Sequence, residues 1–383
     1  MMRPMKLGGQ ELLFGEGTLA HLATLKYKKA VIVLANDVMI QNGVMSIIKG
    51  HLTTAQIPFE SFIGIESDPG FSTVMRGAEF MRKHEPDLII AVGGGSAMDA
   101  AKAMWIYYEN PEIKDLVTLM DKNKFPLLRK KAKLICIPST AGTASEVSRS
   151  IVITDDKTGI KYGIGNMEMV PDIAICDPVT TLSLPKSITA ETGMDAMCHA
   201  LEAIVSNRAN YISDILAEKA ILDIFETLPK VLKDGSNVSY REKMLTAAMV
   251  AGLAFTNVSL GITHSIAHGL GSLFKMPHGL ANAILLPYIV EFNSQNESAK
   301  KIYDGLATKL GYVDLVSALK DLNHTLGIPS NLSEKLSDKS KFDENLSTLI
   351  EYALSDGCTK TNPIIPTKAQ MQAIIELAYK GGQ

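Results

Sequence analysis

An α/β domain followed by an all-helical domain is the fold this sequence predicts. Three observations carry the prediction. Four apolar runs rich in β-branched residues fall in the first half, helical patterns separate the first two of them, and no convincing strand follows Thr189. At 383 residues the chain is long for one compact core, so two domains are the default. We place the boundary at residue 187, giving segments 1–187 and 188–383.

Taken in order, Lys29 to Ala35 (KAVIVLA), Asp87 to Val92 (DLIIAV), Lys133 to Ile137 (KLICI) and Asp172 to Cys176 (DIAIC) each end at polar, Gly or Pro punctuation. Their unbroken apolar character is that of parallel strands covered on both faces. Between the first two lie Val44 to Ala55 and Val74 to His84, both amphipathic helical patterns, so the segment reads as a doubly wound parallel sheet flanked by helices. The character changes near Pro178 to Pro185. Thr189 to Val205, Ser213 to Leu228, Arg241 to Phe255 and Gly261 to Phe274 then read as successive helices, with more towards the end.

Composition excludes several classes. With 46% apolar and 21% charged residues the chain is an ordinary globular protein, and a net charge of -3 offers no electrostatic footprint for nucleic acid. The tightest basic cluster, Lys130, Lys131 and Lys133, reads as a solvated loop. No run approaches the roughly 18 apolar residues of a membrane span, and the opening MMRPMKLGGQ lacks the apolar stretch of a signal peptide. Cys136, Cys176, Cys198 and Cys358 are far apart and without CxxC spacing. Free thiols in a reducing cytoplasm are the expectation.

The run at 87–92 passes directly into Gly93-Gly94-Gly95-Ser96 and then a helix, Ala97 to Tyr108. Bare backbone N–H groups at a helix N-terminus suit a pyrophosphate, although a tight strand-to-helix turn explains the glycines equally well and the GxGxxG spacing is absent. A second loop, Pro138 to Glu146, carries Ser139, Thr140, Thr143 and Ser145 at the end of the next strand. It reads as a ligand loop, a helix N-cap, or both. Asp37 stands just past the first strand, where an acid accepts from a ribose 2′-OH and repels a 2′-phosphate. That role favours NAD over NADP, while Asn36-Asp37 also reads as a turn.

Four of the eight histidines fall between residues 199 and 278. Asp195 and His199 are four apart, which puts both on one helix face, and His264 and His268 repeat the spacing. His278 follows at a loop or helix start. Any one of these is more often a packed core residue than a ligand. Several ionisable groups among Ala, Leu and Ile are costly to bury without a cation or hydrogen-bond partners. One carboxylate and several imidazoles suit divalent iron or zinc.

The segments GGGSAMDAAKA (93–103), PSTAGTASEVS (138–148), TAETGMDAMCHALEA (189–203), GITHSIAHGLG (261–271) and MPHGLANAILLPYIVEFN (276–293) resemble, in order and over nearly the whole chain, those of the iron-containing (group III) alcohol dehydrogenase family. The resemblance implies an N-terminal dinucleotide-binding domain and a C-terminal all-α metal-binding domain. It implies Asp195, His199, His264 and His278 as metal ligands and His268 as a catalytic, proton-relaying histidine. It implies nucleotide contacts at Asp37, Gly94, Gly95, Ser96, Asp99, Thr140, Thr143, Lys161 and Leu182, and a substrate pocket including Phe255 and Cys358. The expected cofactors are NAD and Fe2+, with zinc compatible with the same ligands, and the expected assembly is a homo-oligomer, joined through a strand at Glu11 to Phe14. The expected reaction is hydride transfer between NAD(H) and a small primary alcohol, diol or aldehyde. Alternatives are a dehydroquinate-synthase-like lyase and a non-catalytic nucleotide- or metal-binding protein; the first would need a Lys- and Arg-rich pocket, whereas these flanks are Ala, Met, Leu and Ile. The sequence departs from the family pattern at Ala144 (often Gly), Cys198 (often Thr) and Ile364 (often Arg).

Overall fold

The computed structural model describes residues 5–35 and 37–381; the start of MMRPMKLGGQ, and Asn36 of the Asn36-Asp37 turn, lie outside them. The chain folds as two compact units, 1–184 with 235–249, and 185–234 with 250–383. A single cut in the sequence does not express this division, because the segment 235–249 groups with the first unit.

The first unit is built on β1 (Glu11–Phe14), β2 (Ala30–Leu34), β3 (Phe59–Ile63), β4 (Leu88–Gly93), β5 (Lys133–Pro138) and β8 (Ile173–Cys176), with β6 (Ser150–Thr154) and β7 (Lys161–Gly165) forming a separate antiparallel pair. The six-stranded sheet runs β1-β8-β5-β4-β2-β3, parallel throughout. The four apolar runs of the sequence are its interior strands. Their alternate side chains feed two cores: Val31, Val33, Ile89 and Ala91 on one face, and Ile32, Leu34, Ile90 and Val92 on the other.

The helices α1 (Val38–Gln41), α2 (Val44–Thr54), α3 (Phe71–His84) and α4 (Gly95–Glu109) belong to this unit. Trp105, Met104 and Ile106 of α4 are fully buried. The chain passes from β2 to β3 on one side and then to β4 on the other. The topological switch point therefore lies at the carboxyl ends of β2 and β4, the place where open α/β sheets bind ligands.

The second unit has no strand among its described residues. It holds α5 (Lys186–Val205), α6 (Tyr211–Lys233), the end of α7 (Val238–Val258) from Val250 onward, α8 (Ile262–Phe274), α9 (His278–Asn293), α10 (Glu297–Leu310), α11 (Leu315–Leu326), α12 (Lys339–Ser355) and α13 (Lys368–Lys380). Most of α5 from Gly193 onward and most of α9 from Leu280 onward are buried around their whole circumference, so polar residues on them must find partners inside the protein. No single helix among the described residues is long and apolar enough to cross a membrane. The four cysteines are free, three of them buried.

Candidate active site

In the first unit, β4 ends at Gly93, whose φ of +152° is a conformation that side chains rarely adopt. Gly94 is the N-cap of α4. At Gly95 a Cβ would lie 2.8 Å from Thr143 Cγ2, so the glycines let the hydroxyl loop close against the helix start. Thr140 also faces Gly94, and its Oγ1 is buried with no hydrogen-bond partner among the described residues. An orphan hydroxyl beside the N-terminus of a fifteen-residue helix fits an anionic, hydrogen-bonding ligand such as a pyrophosphate.

The other nucleotide candidates fall into distinct settings. Ser96 Oγ donates to the Ser67 carbonyl. Asp99 braces the site from inside: Ser145 Oγ donates to its Oδ1 at 2.6 Å and the Val152 N–H to its Oδ2 at 2.9 Å. Buried Lys102 adds Nζ bonds of 2.9 Å to Ser145 Oγ and the Ser148 carbonyl. Lys161 Nζ donates to Asp68 Oδ1 at 2.6 Å. Leu182 is half-buried just after the short helical turn Pro178–Thr181. Asp37 is exposed at the N-cap position of α1 and makes no capping bond, so its carboxylate is not used by the turn. Ala144 has φ +50°, which explains why glycine is common at this place in the family pattern.

The second unit brings together residues far apart in sequence. Asp195 and His199 lie on α5, His264 and His268 on α8, and His278 opens α9. Asp195 Oδ1 stands 3.8 Å from His199 Nε2, 3.6 Å from His264 Nε2 and 3.6 Å from His278 Nε2. In a tetrahedral site with ligand distances of about 2.2 Å, donor atoms are about 3.6 Å apart, which is close to these three separations; the ligand atoms of Asp195, His199 and His264 also lie within 4.8 Å of one another, so this trio suits a divalent cation, with His278 adjoining it through Asp195. Asp195, His199 and His264 are buried, and His278 is half-buried. Burial alone raises a carboxyl group, yet the His199, His264 and His278 imidazoles hold Asp195 far below the usual carboxylate range. Burial, with the neighbouring imidazoles, lowers His278 to about 3 and leaves its nitrogen free to ligate.

Three residues of this centre were not singled out in the sequence. Glu202 Oε2 accepts from His264 Nδ1 at 2.6 Å, and its Oε1 accepts from the Thr263 N–H at 2.7 Å. This fixes the His264 tautomer with Nε2 turned towards Asp195. Glu202 is three residues past His199 and seven past Asp195, so helical periodicity was the available signal. Against the effect of burial, His264 keeps Glu202 ionised, and Glu202 in turn raises the affinity of His264 for a proton. A second trio, Cys198 Sγ, Glu202 and His264 Nδ1, also falls within 4.8 Å, but its shortest approach is this hydrogen bond.

The second is Asp356, whose Oδ2 accepts from His268 Nδ1 at 2.9 Å. Despite burial, His268 holds Asp356 well below the usual range. The His268 ring stacks on His278 with centroids 5.3 Å apart. The third is Asn282 on α9, whose Nδ2 lies 2.8 Å from Asp195 Oδ1. Of the two pocket candidates, Phe255 stacks on His199 at 4.4 Å, and the Cys358 N–H donates to Asp356 Oδ1 at 2.7 Å. At the other departures, Cys198 Sγ lies 3.8 Å from His264 Nδ1, and the Ile364 carbonyl accepts from Asn362 Nδ2 at 2.8 Å.

A parallel sheet with a glycine loop at its switch point, joined to a helical unit in which one carboxylate meets three imidazoles, is the make-up of a nucleotide- and metal-binding enzyme. Residues 9–178 match the family model of iron-containing alcohol dehydrogenase, and residues 189–379 that of the C-terminal part of the Fe-containing alcohol dehydrogenase family. The chain belongs to the iron-containing alcohol dehydrogenase family, and it is a metal-dependent alcohol dehydrogenase.

It is 42% identical to an NADPH-dependent butanol dehydrogenase of Clostridium saccharobutylicum, over 97% of each chain. The structure of an iron-containing alcohol dehydrogenase from Thermococcus thioreducens superposes with a TM-score of 0.92 at 32% identity, covering 99% of this chain and 100% of that one. Sulfoacetaldehyde reductase of Bifidobacterium kashiwanohense, solved with NAD+, superposes with a TM-score of 0.87 at 25% identity over the whole of both chains. The lyase and the non-catalytic alternatives find no support among these relatives.

Proposed function

We propose that Asp195, His199, His264 and His278 hold one Fe2+, and that the enzyme interconverts small primary alcohols or diols and their aldehydes with NAD(H). The observation that carries this reading is the placement of three imidazole nitrogens within 3.8 Å of Asp195 Oδ1, with the ligand atoms of Asp195, His199 and His264 all within 4.8 Å of one another. The same ligands accept zinc; three imidazoles and one carboxylate in a family named for iron favour iron. When bound, the cation supplies Lewis acidity towards the substrate oxygen and the nicotinamide supplies the hydride partner.

The chain's own residues do the rest. Glu202 keeps the proton of His264 on Nδ1 and its lone pair on Nε2. Asp356 does the same for His268, whose Nε2 is left to take the alcohol proton in oxidation and return it in reduction. The His268 side chain is 28% exposed, which gives that proton a route to solvent. Phe255 against His199 offers an apolar wall suited to a short alkyl chain. Gly94, Gly95, Thr140 and Thr143 cradle the pyrophosphate, and the uncommitted carboxylate of Asp37 favours the ribose hydroxyl of NAD. Edge strand β1, with Phe14 exposed, supports a homo-oligomer, and the four free cysteines support a reducing, cytoplasmic setting.

Elemental analysis of anaerobically purified protein, followed by NADH-linked rates over a graded alcohol and aldehyde series, tests the proposal. One equivalent of iron in the wild type, and neither metal nor turnover in Asp195→Ala or His264→Ala, is the expected result. Full activity in a metal-free variant would refute it.

A further inference from the structure

Asn282 lies on α9 four residues after His278, on the same helix face, and is completely buried. Its Nδ2 stands 2.8 Å from Asp195 Oδ1, 3.1 Å from His278 Nε2 and 3.2 Å from His264 Nε2. One amide nitrogen thus faces the donor atoms of three of the four proposed ligands. Its Oδ1 is buried with no partner among the described residues. A buried asparagine that serves only packing satisfies both ends of its amide, because a buried polar group without a partner keeps the full cost of leaving water. Here the amide is committed at one end to the ligand cluster and forgoes a bond at the other. An apolar side chain would fill the same volume between α5, α8 and α9 without that cost.

We infer that Asn282 is a positioning residue of the metal centre, with two roles. Its N–H aims Asp195 Oδ1 at the three imidazoles. Its neutrality leaves Asp195 as the one carboxylate in the cage, so that a divalent ion there retains a net charge of +1 for polarising substrate. The inference rests on the proposed ligand set and goes beyond it, since none of the four ligands explains why an amide, rather than a carboxylate or an alkyl group, stands against them.

The two roles give opposite signatures in two variants. Asn282→Ala removes the aiming hydrogen bond, and metal affinity falls about ten- to hundredfold. Asn282→Asp keeps shape and volume; it also loses the aiming N–H, but it adds a second carboxylate whose charge on the cation more than offsets that loss. Metal affinity is then equal to or above that of the wild type, while turnover falls at least tenfold because the centre becomes electrically neutral. Affinities are read by anaerobic Fe2+ and Zn2+ titration against a competing chelator, alongside NAD+ binding by fluorescence and the rise in Tm on adding metal. His264→Ala and the wild type are measured in parallel: a wild type without stoichiometric metal would defeat the proposed ligand set itself. Wild-type affinity in folded Asn282→Ala overturns the aiming role. If Ala at this position prevents folding, the isosteric Asp variant decides alone, and loss of metal from it, or wild-type turnover in its metal-loaded form, overturns the inference.

Discussion

Replacing Glu202 with Gln changes one atom and removes one acceptor. In the wild type the two carboxylate oxygens serve two donors, His264 Nδ1 at 2.6 Å and the Thr263 N–H at 2.7 Å. A glutamine has one oxygen. If that oxygen stays with Thr263, the amide NH2 faces His264 Nδ1, which must then accept. The imidazole proton moves to Nε2, the nitrogen 3.6 Å from Asp195 Oδ1, and its lone pair is lost to any cation. If the oxygen turns to His264 instead, the Thr263 N–H at the start of α8 is left buried and unmade, at a cost of about 1–3 kcal/mol. Both branches weaken the site. Partners of metal-binding histidines typically carry ten- to hundredfold in affinity, about 1.4–2.7 kcal/mol. Anaerobic metal titration of Glu202→Gln at pH 7, with NAD+ binding and circular dichroism as controls, is expected to show that loss with the fold and nucleotide site intact. Wild-type metal affinity in this variant would refute the argument that Glu202 sets the His264 tautomer.

Asp356→Asn removes the charge that orients and supports His268; alcohol oxidation should slow at least about tenfold, a part of the 10²–10⁴ that positioned proton transfer supplies, while metal content stays stoichiometric. Loss of iron from that variant would instead make Asp356 part of the metal cage. Asp37→Gly should raise kcat/KM with NADPH relative to NADH, and an unchanged ratio would show that Asp37 does not read the ribose. Glu146 is buried, its Oε2 has no hydrogen-bond partner among the described residues, and burial raises its carboxyl from 4.5 to about 7. The folded state therefore holds a proton that the unfolded chain releases near pH 4.5, so this contribution is present at low pH and lost as pH rises towards 7. The loss is on the order of 3 kcal/mol. Urea midpoints at pH 5 and pH 8 should converge in Glu146→Gln relative to the wild type; an identical pH dependence in the two proteins would count against a buried, neutral Glu146.

The sequence by itself determined the interior of the sheet and the faces of the helices. Runs such as AVIVL in β2 and LIIAVG in β4 are legible because a strand covered on both faces has no place for a polar residue. The pairs Asp195/His199 and His264/His268 are legible because a helix brings positions four apart to one side. Tertiary structure decided what lies at edges and what converges. Among the described residues β3 (FESFI) pairs only with β2, so Glu60 can stand on its rim, and the polar residues hide the strand from an apolar pattern. The hairpin β6–β7 was also unread, and Val152 within it anchors Asp99.

Asp356 is 88 positions from His268, and no local pattern connects them. Glu202 shares the face of Asp195 and His199, but its task is set by α8, a different helix. Asn282 completes a third pair at a spacing of four, after His278, yet an amide carries no charge to draw attention to its burial. Local sequence settles backbone conformation and which side chains share a face. Which faces meet depends on packing among segments that can be more than a hundred residues apart, as β1 and β8 are, and there neighbouring residues in the chain no longer constrain one another.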